Sequence, residues 1–521
     1  MIHDDDLRAL DFHHIRRRLE RLALTPYGKE AAARLGPAPT LAGARAMQAA
    51  VGVARSMLAE SPLVLEDLPQ VRPALRQAGA AGATLRPAAL ANLTRVLRAG
   101  RQLARRARDW PGLYPGDAGD LDPAPALLER LQATVTPSGA LRDDASETLA
   151  RLTRAYLAQR AEAEAQLRAF QQRPELVEVV DDCERVYWQG DRVVMRVSAR
   201  HVERIRGRRA GSHMGGRDEL VEPLALVPVN DRTERLCAEV SAEQQRLLRE
   251  VTDQVRAHLP ALERLLEAIT WIDLAVAGAR LAQCLDARPP ELVDGPELSL
   301  TGAYHPLLLL QHREDGAPRP VPLTLALDGD ERLTVVTGPN TGGKTVALKT
   351  VGLLATMALC GLHLPAEGPC RVGAYRRILV DVGDHQSLYH HLSTFAGHVE
   401  VLKRVLAAAD AHALVLLDEL GTGTDPEEGA ALAMAVLDEL VERGVQGIVN
   451  THLAPLKDYA ARTPHVRNAS MRFDHDNLRP TYELQIGVPG ASLGLVVAGT
   501  QGLPEALVDR ARHYLDTIRK A

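Results

Sequence analysis

One stretch of this chain limits its fold more than any other: Gly338-Pro339-Asn340-Thr341-Gly342-Gly343-Lys344-Thr345, which fits the spacing GxxxxGK[ST]. It follows an apolar, β-branched run, Leu333–Thr337. It precedes a segment in which Leu348, Val351, Ala355 and Ala358 fall on one helical face. Strand, glycine-rich loop and helix in that order predict an α/β domain with a largely parallel sheet. Glycines let successive backbone N–H groups converge on phosphate oxygens, and the helix start adds its positive dipole end. In such a loop Lys344 reaches the β- and γ-phosphates and the Thr345 hydroxyl ligates Mg2+, so ATP and Mg2+ are the predicted cofactors. The chain has only six lysines, with arginine supplying nearly all its other positive charge, so a lysine in this position stands out.

Downstream, the apolar run 414–417 ends in Asp418 and Glu419. One carboxylate can support Mg2+ while the next activates the attacking water. A turn follows, Gly421-Thr-Gly-Thr-Asp425-Pro, and then a further apolar strand ends in Asn450-Thr451-His452. A histidine at that strand end is suited to sensing the γ-phosphate. Lys344, Glu419 and His452 are therefore the predicted catalytic residues. Gly338 to Thr345 form the predicted phosphate cradle, and Thr345 and Asp418 the predicted metal ligands.

These motifs, with LSTF at residues 392–395, LLDELGTGTDPEEG at 416–429 and YHPLL at 304–308, resemble the MutS family of ATPases, most of all its bacterial MutS-two subgroup. The likeness is strong over about residues 300–505 and fainter before them. It implies an ABC-type ATPase domain that works as a homodimer with composite sites, in which Ser393 reaches the partner's γ-phosphate. Asp384-His385-Gln386 stands where the family has a coupling loop, with His385 replacing the usual acid. His390 and His391 read as surface residues, because no carboxylate or cysteine spacing supports a metal. The Phe-x-Glu wedge of mismatch-reading members is absent, and no nuclease constellation is legible, so neither activity is expected. The resemblance implies an ATP-dependent clamp on branched or duplex DNA that restrains homologous recombination. The alternatives are an ATPase that splits stalled ribosomes through ribosomal RNA, and a nucleotide-bound structural dimer without turnover.

The rest of the chain supplies the expected frame. Residues 1–175 read as a helical core and first lever arm, 176–230 as a β-rich clamp insert, 231–290 as a second lever helix, and 291–521 as the ATPase domain. Within the insert, 176–180, 185–188, 192–197 and 224–229 read as strands, and 201–217 as a glycine-rich loop. Formal net charge is −5, from 62 basic and 67 acidic residues, which excludes a uniformly basic nucleic-acid binder but not a basic face. The loop is that face: Arg204, Arg206, Arg208, Arg209 and Arg217 can follow phosphates without reading bases. With aromatic residues at 3%, base-stacking platforms are scarce and single-strand reading is disfavoured. Five scattered cysteines without a CxxC pair, the lack of a signal peptide and the lack of a long apolar run predict a cytoplasmic protein without membrane contact.

Overall fold

The computed structural model describes residues 2–63, 65, 68–176, 179–180, 185–213, 217–338, 343–382, 394–474, 479–490, 495, 498–499 and 502–520. The chain divides into two compact units: Leu68–Ala104 with Gly119–Leu266, and Met1–Asp67 with Arg105–Ala118 and Glu267–Ala521.

In the first unit, helices Glu147–Gln171 and Val227–Ala257 pack along each other. The Ser146 hydroxyl caps the first helix by accepting from the Leu149 N–H at 3.0 Å, and donates to Glu243 of the second at 2.9 Å. Between the two helices in sequence lies an antiparallel sheet of strands β1 (Tyr187–Gln189), β2 (Arg192–Ser198), β3 (Gly207–His213) and β4 (Asp218–Pro223), in the order β1-β2-β4-β3. Val193, Met195 and Val197 of β2 alternate into a core shared with Ala163 and Leu167. Asn230 ties the sheet to the second helix, bonding both the N–H and the C=O of Val193 at 2.9 and 3.0 Å. The Arg192 guanidinium adds bonds to Glu222 at 2.8 Å and Asp231 at 2.6 Å.

Three expectations for this segment change. Leu176, Val179 and Val180 are buried, yet they lie in a turn whose 179 and 180 N–H groups bond the Leu176 carbonyl; residues 177–178 lie outside the described residues. An apolar run can bury itself in a turn when a helix end already supplies the core. Residues 224–229 form a short 3-10 turn, Leu224–Leu226, that leads into the helix at Val227, because Pro228 suits a first helical turn that needs no N–H. The predicted loop 201–217 contains β3, which is held by its ladder to β4 despite its glycines and arginines.

The second unit holds two sheets. Strands β5 (Glu291–Val293), β6 (Leu298–Ala303), β7 (Leu323–Leu327) and β9 (Arg371–Gly373) form the smaller, in the order β5-β9-β6-β7. The larger comprises β8 (Leu333–Thr337), β10 (Arg377–Asp381), β11 (Ala413–Leu417), β12 (Gln446–Thr451), β13 (Val466–Asp474) and β14 (Arg479–Ile486), in the order β10-β11-β12-β8-β13-β14. All its pairs are parallel except β13 with β14. Alternate residues serve two cores, as the pleat requires. Val336, Leu414, Leu416 and Ile448 pack with helix Lys344–Leu359 and the N-terminal helices. Leu333, Val335, Val415 and Val449 pack with helices Thr394–Ala408 and Pro426–Glu442. With both faces covered, the strands read as continuous apolar runs, and the carboxyl ends of β8, β11 and β12 come together on one edge. Among the described residues no helix is long and apolar enough to cross a membrane.

His305 gives this unit an acid-sensitive point. Its ring Nδ1 accepts from the Leu308 N–H at 3.4 Å, capping helix Pro306–Asp315, and burial pushes its pKa down to about 4. The folded state therefore keeps His305 neutral while the unfolded chain protonates it below pH 6.5. Its contribution is fully present above that pH and is lost as pH falls towards 4. Between pH 7.5 and 5 the loss is about 2 kcal/mol. Urea midpoints of wild type and His305→Asn at both pH values should show a steeper acid loss in wild type; parallel losses would refute the assignment.

Candidate nucleotide site

Gly343 takes a left-handed conformation (φ 89°) and opens helix Lys344–Leu359, a turn that side chains other than glycine resist. Directly after it, the Lys344 side chain is only 1% exposed. Its ammonium donates to the Gly338 carbonyl, lies 3.4 Å from the Thr451 carbonyl, and stands 3.3 Å from Nδ1 of His452. Burial lowers its pKa to about 8, against the pull of Asp418 and Glu419. Burial, followed by the charge of Lys344, likewise lowers the pKa of His452, so the imidazole is neutral and can accept from the ammonium.

Next in the helix, the Thr345 hydroxyl donates to Asp418 Oδ2 at 2.6 Å, and Asn450 Nδ2 donates to the other carboxylate oxygen at 3.0 Å. The Asp418 carboxylate, just past the end of β11, is thus oriented from both sides, by Thr345 in the first turn of the helix that follows β8 and by Asn450 near the end of β12. Glu419 follows with φ 54°, left-handed for a residue that has a Cβ. Its Oε1 lies 3.9 Å from His452 Nε2. The strained turn is held by the Leu420 N–H on the Asn450 carbonyl at 3.0 Å and by the Thr422 hydroxyl on the Glu419 carbonyl at 2.8 Å. Gly421 and Gly429 meet backbone to backbone: a Cβ on Gly429 would lie 2.1 Å from the Gly421 carbonyl oxygen. Asp425 then caps helix Pro426–Glu442, accepting from the Glu427 N–H at 2.9 Å.

This donor set fits Mg2+ and a phosphate chain. Hard oxygens of Thr345 and Asp418 lie side by side, as adjacent Mg2+ ligands must, while a buried ammonium and a helix N-terminus face the same edge. Gly338, Gly343, Lys344, Thr345, Asp418, Glu419 and His452 therefore share one edge of the sheet. Pro339, Asn340, Thr341, Gly342 and Ser393 lie outside the described residues, as do His385, His390 and His391. Asn468 and Ser470 are buried within β13, where Asn468 donates to the Lys457 carbonyl at 2.8 Å.

The sequence left three members of the site without a role. Asn450 stood inside the Asn-Thr-His triplet. Asp381 ends β10, and its carboxylate Oδ2 lies 3.2 Å from His398 Nδ1. The only signal for this last pair was that another apolar run, 378–380, ends in an acid.

The five predicted arginines lie around β3. Arg204 ends a short 3-10 turn, Arg206 precedes the strand, Arg208 and Arg209 are in it, and Arg217 follows it; all are exposed. Arg209 pairs with Glu219 at 3.3 Å, whereas Asp218 is taken by Arg196 at 3.3 Å. Among the described residues Arg204, Arg206, Arg208 and Arg217 have no ion-pair partner.

The family model described as MutS domain V matches residues 334–519. Three curated relatives, each called Endonuclease MutS2, align with 98% of this chain. That of Pelotomaculum thermopropionicum is 35% identical over 514 residues, that of Symbiobacterium thermophilum 36% over 512, and that of Thermus thermophilus 36% over 511. The chain spans 64%, 63% and 66% of their respective lengths.

Proposed function

The chain belongs to the MutS family, and from that premise we propose that it is a Mg2+-dependent ATPase that binds branched or structured DNA and restrains recombination. The observation that carries this reading is the meeting of Lys344, Thr345, Asp418, Asn450, Glu419 and His452 at the carboxyl ends of β8, β11 and β12. Lys344 and the N–H groups at the helix start hold the β- and γ-phosphates. Thr345 and Asp418 hold Mg2+, which when bound offsets the charge on the phosphate oxygens. Glu419 takes the proton of the attacking water, and His452 bonds the γ-phosphate. Two copies of the chain form composite sites, to each of which Ser393 of the opposite copy contributes. No nuclease activity is proposed.

The nucleic-acid contact is the basic rim of β3, with Arg204, Arg206, Arg208, Arg209 and Arg217 on backbone phosphates. Contacts of this kind give affinity without sequence preference and a steep salt dependence, about 0.9 in log–log slope per phosphate. An Arg206/Arg208/Arg209→Ala variant should bind junction DNA at least tenfold more weakly and lower that slope by about 2 to 3. Unchanged binding and slope would remove the basic rim from the proposal. ATP turnover titrated in parallel with junction DNA, duplex DNA and ribosomes identifies the partner. Stimulation by ribosomes alone would point instead to ribosomal RNA.

A further inference from the structure

Asp381 is a third carboxylate at the edge where Asp418 and Glu419 sit, and it is nearly buried. Its backbone carbonyl accepts the Asp418 N–H at 2.8 Å, so the two acids are neighbours across the β10–β11 pair. An acid this close to the metal-binding strand end is a rival ligand and a source of repulsion unless something occupies it. His398 does so, with Nδ1 3.2 Å from Asp381 Oδ2. The bond to Asp381 raises the His398 pKa despite burial, and the charges of Asp381, Glu419 and Asp418 add to it.

The helix that carries His398, Thr394–Ala408, holds the same strand end a second time. Arg404 pairs with the buried Asp6 at 3.1 Å and donates to the Val380 carbonyl at 3.1 Å, while Asp6 accepts the Val380 N–H at 3.2 Å. The last two residues of β10 are thus fixed through Asp6, Arg404, His398 and the Asp418 backbone. Of these, His398 bonds the Asp381 side chain, whereas the others hold the backbone of the strand end.

On the ATPase reading above, we propose that His398 is a positioning residue of ATP hydrolysis. By holding the Asp381 carboxylate it keeps that acid away from the metal and fixes the strand ends that present Asp418 and Glu419. In this role His398 acts through Asp381. An asparagine places an amide N–H close to where Nδ1 stands, whereas a glutamine places it near Nε2, so the two amides separate this role from general packing.

Steady-state turnover of His398→Ala, His398→Asn, His398→Gln, Asp381→Asn and the His398→Ala/Asp381→Asn double variant tests the proposal. Alanine and glutamine should lower kcat about tenfold, with KM for ATP within twofold of wild type. Asparagine should return kcat to within about threefold of wild type. The double variant should be no slower than Asp381→Asn alone, since both changes remove one interaction. Wild-type kcat in His398→Ala, a loss confined to KM, equal effects of asparagine and glutamine, or additive losses would each overturn it. If alanine fails to fold, the comparison of asparagine with glutamine decides alone. Lys344→Ala separates this proposal from the reading beneath it. Lys344-dependent turnover that is indifferent to His398 sinks only the positioning role. Turnover that does not depend on Lys344 sinks the ATPase reading, and His398 with it.

Discussion

Replacing Lys344 by alanine lowers ATP turnover by about a thousandfold or more while leaving the fold as stable as wild type, or more so. The first half follows from position: the buried Lys344 ammonium lies at the sheet edge against the Gly338 and Thr451 carbonyls, ready for phosphate. A charge-assisted contact of that kind, strengthened as charge develops on the transferring group, is worth about 4 kcal/mol in a water-poor site. The second half follows from its cost. Burial brings the Lys344 pKa to about 8, so keeping the side chain charged at neutral pH costs the folded protein about 3 kcal/mol. Alanine removes that cost together with the function. Phosphate release and thermal melting of the same preparation check both halves. A variant that turns over ATP at the wild-type rate defeats the proposed role of the lysine, and one that simply unfolds defeats the account of its burial.

The half of the site that involves Lys344 is legible in the sequence because its chemistry is local. Eight consecutive residues specify the loop, and the apolar run before Asp418 announces both a strand and its end. His452 could be placed by the same reasoning. Asn450 and the Asp381–His398 pair could not, since their roles depend on which strands lie side by side. Only the order β10-β11-β12-β8 brings the ends of β10 and β12 to flank Asp418. In the smaller sheet-bearing unit the failure was of another kind. Gly207 and Gly211 argue against a strand on propensity, yet pairing with β4 makes one. Residues 224–229 form an apolar run that reads as a strand, yet Pro228 within it belongs to the first turn of a helix. Local preference lost to tertiary pairing in one case and to backbone chemistry in the other.

Glu419→Gln tests the other half of the mechanism, and its outcome differs in kind from that of Lys344→Ala. The left-handed backbone at Glu419 costs about 1 to 3 kcal/mol and is tolerated because the surrounding turn over-determines it. The Leu420 N–H and the Thr422 hydroxyl pin the peptide on either side, and the close approach of Gly421 to Gly429 leaves the turn nowhere to relax. None of those bonds uses the carboxylate, so glutamine, nearly the same shape, keeps the turn and the strand end. What it removes is a group that can accept a proton beside His452. Removal of a positioned base costs about 10²- to 10⁴-fold. We therefore expect kcat to fall at least a hundredfold with ATP affinity within about threefold of wild type, so that ATP stays bound and uncleaved. Rapid-filtration measurement of bound ATP and ADP after one mixing distinguishes the cases. Retained ATP identifies Glu419 as the base, loss of binding reassigns it to holding the nucleotide or metal, and continued release of ADP places the base elsewhere on the edge. Lys344→Ala, in contrast, should retain little nucleotide of either kind, because the lysine holds the phosphates before any bond is broken.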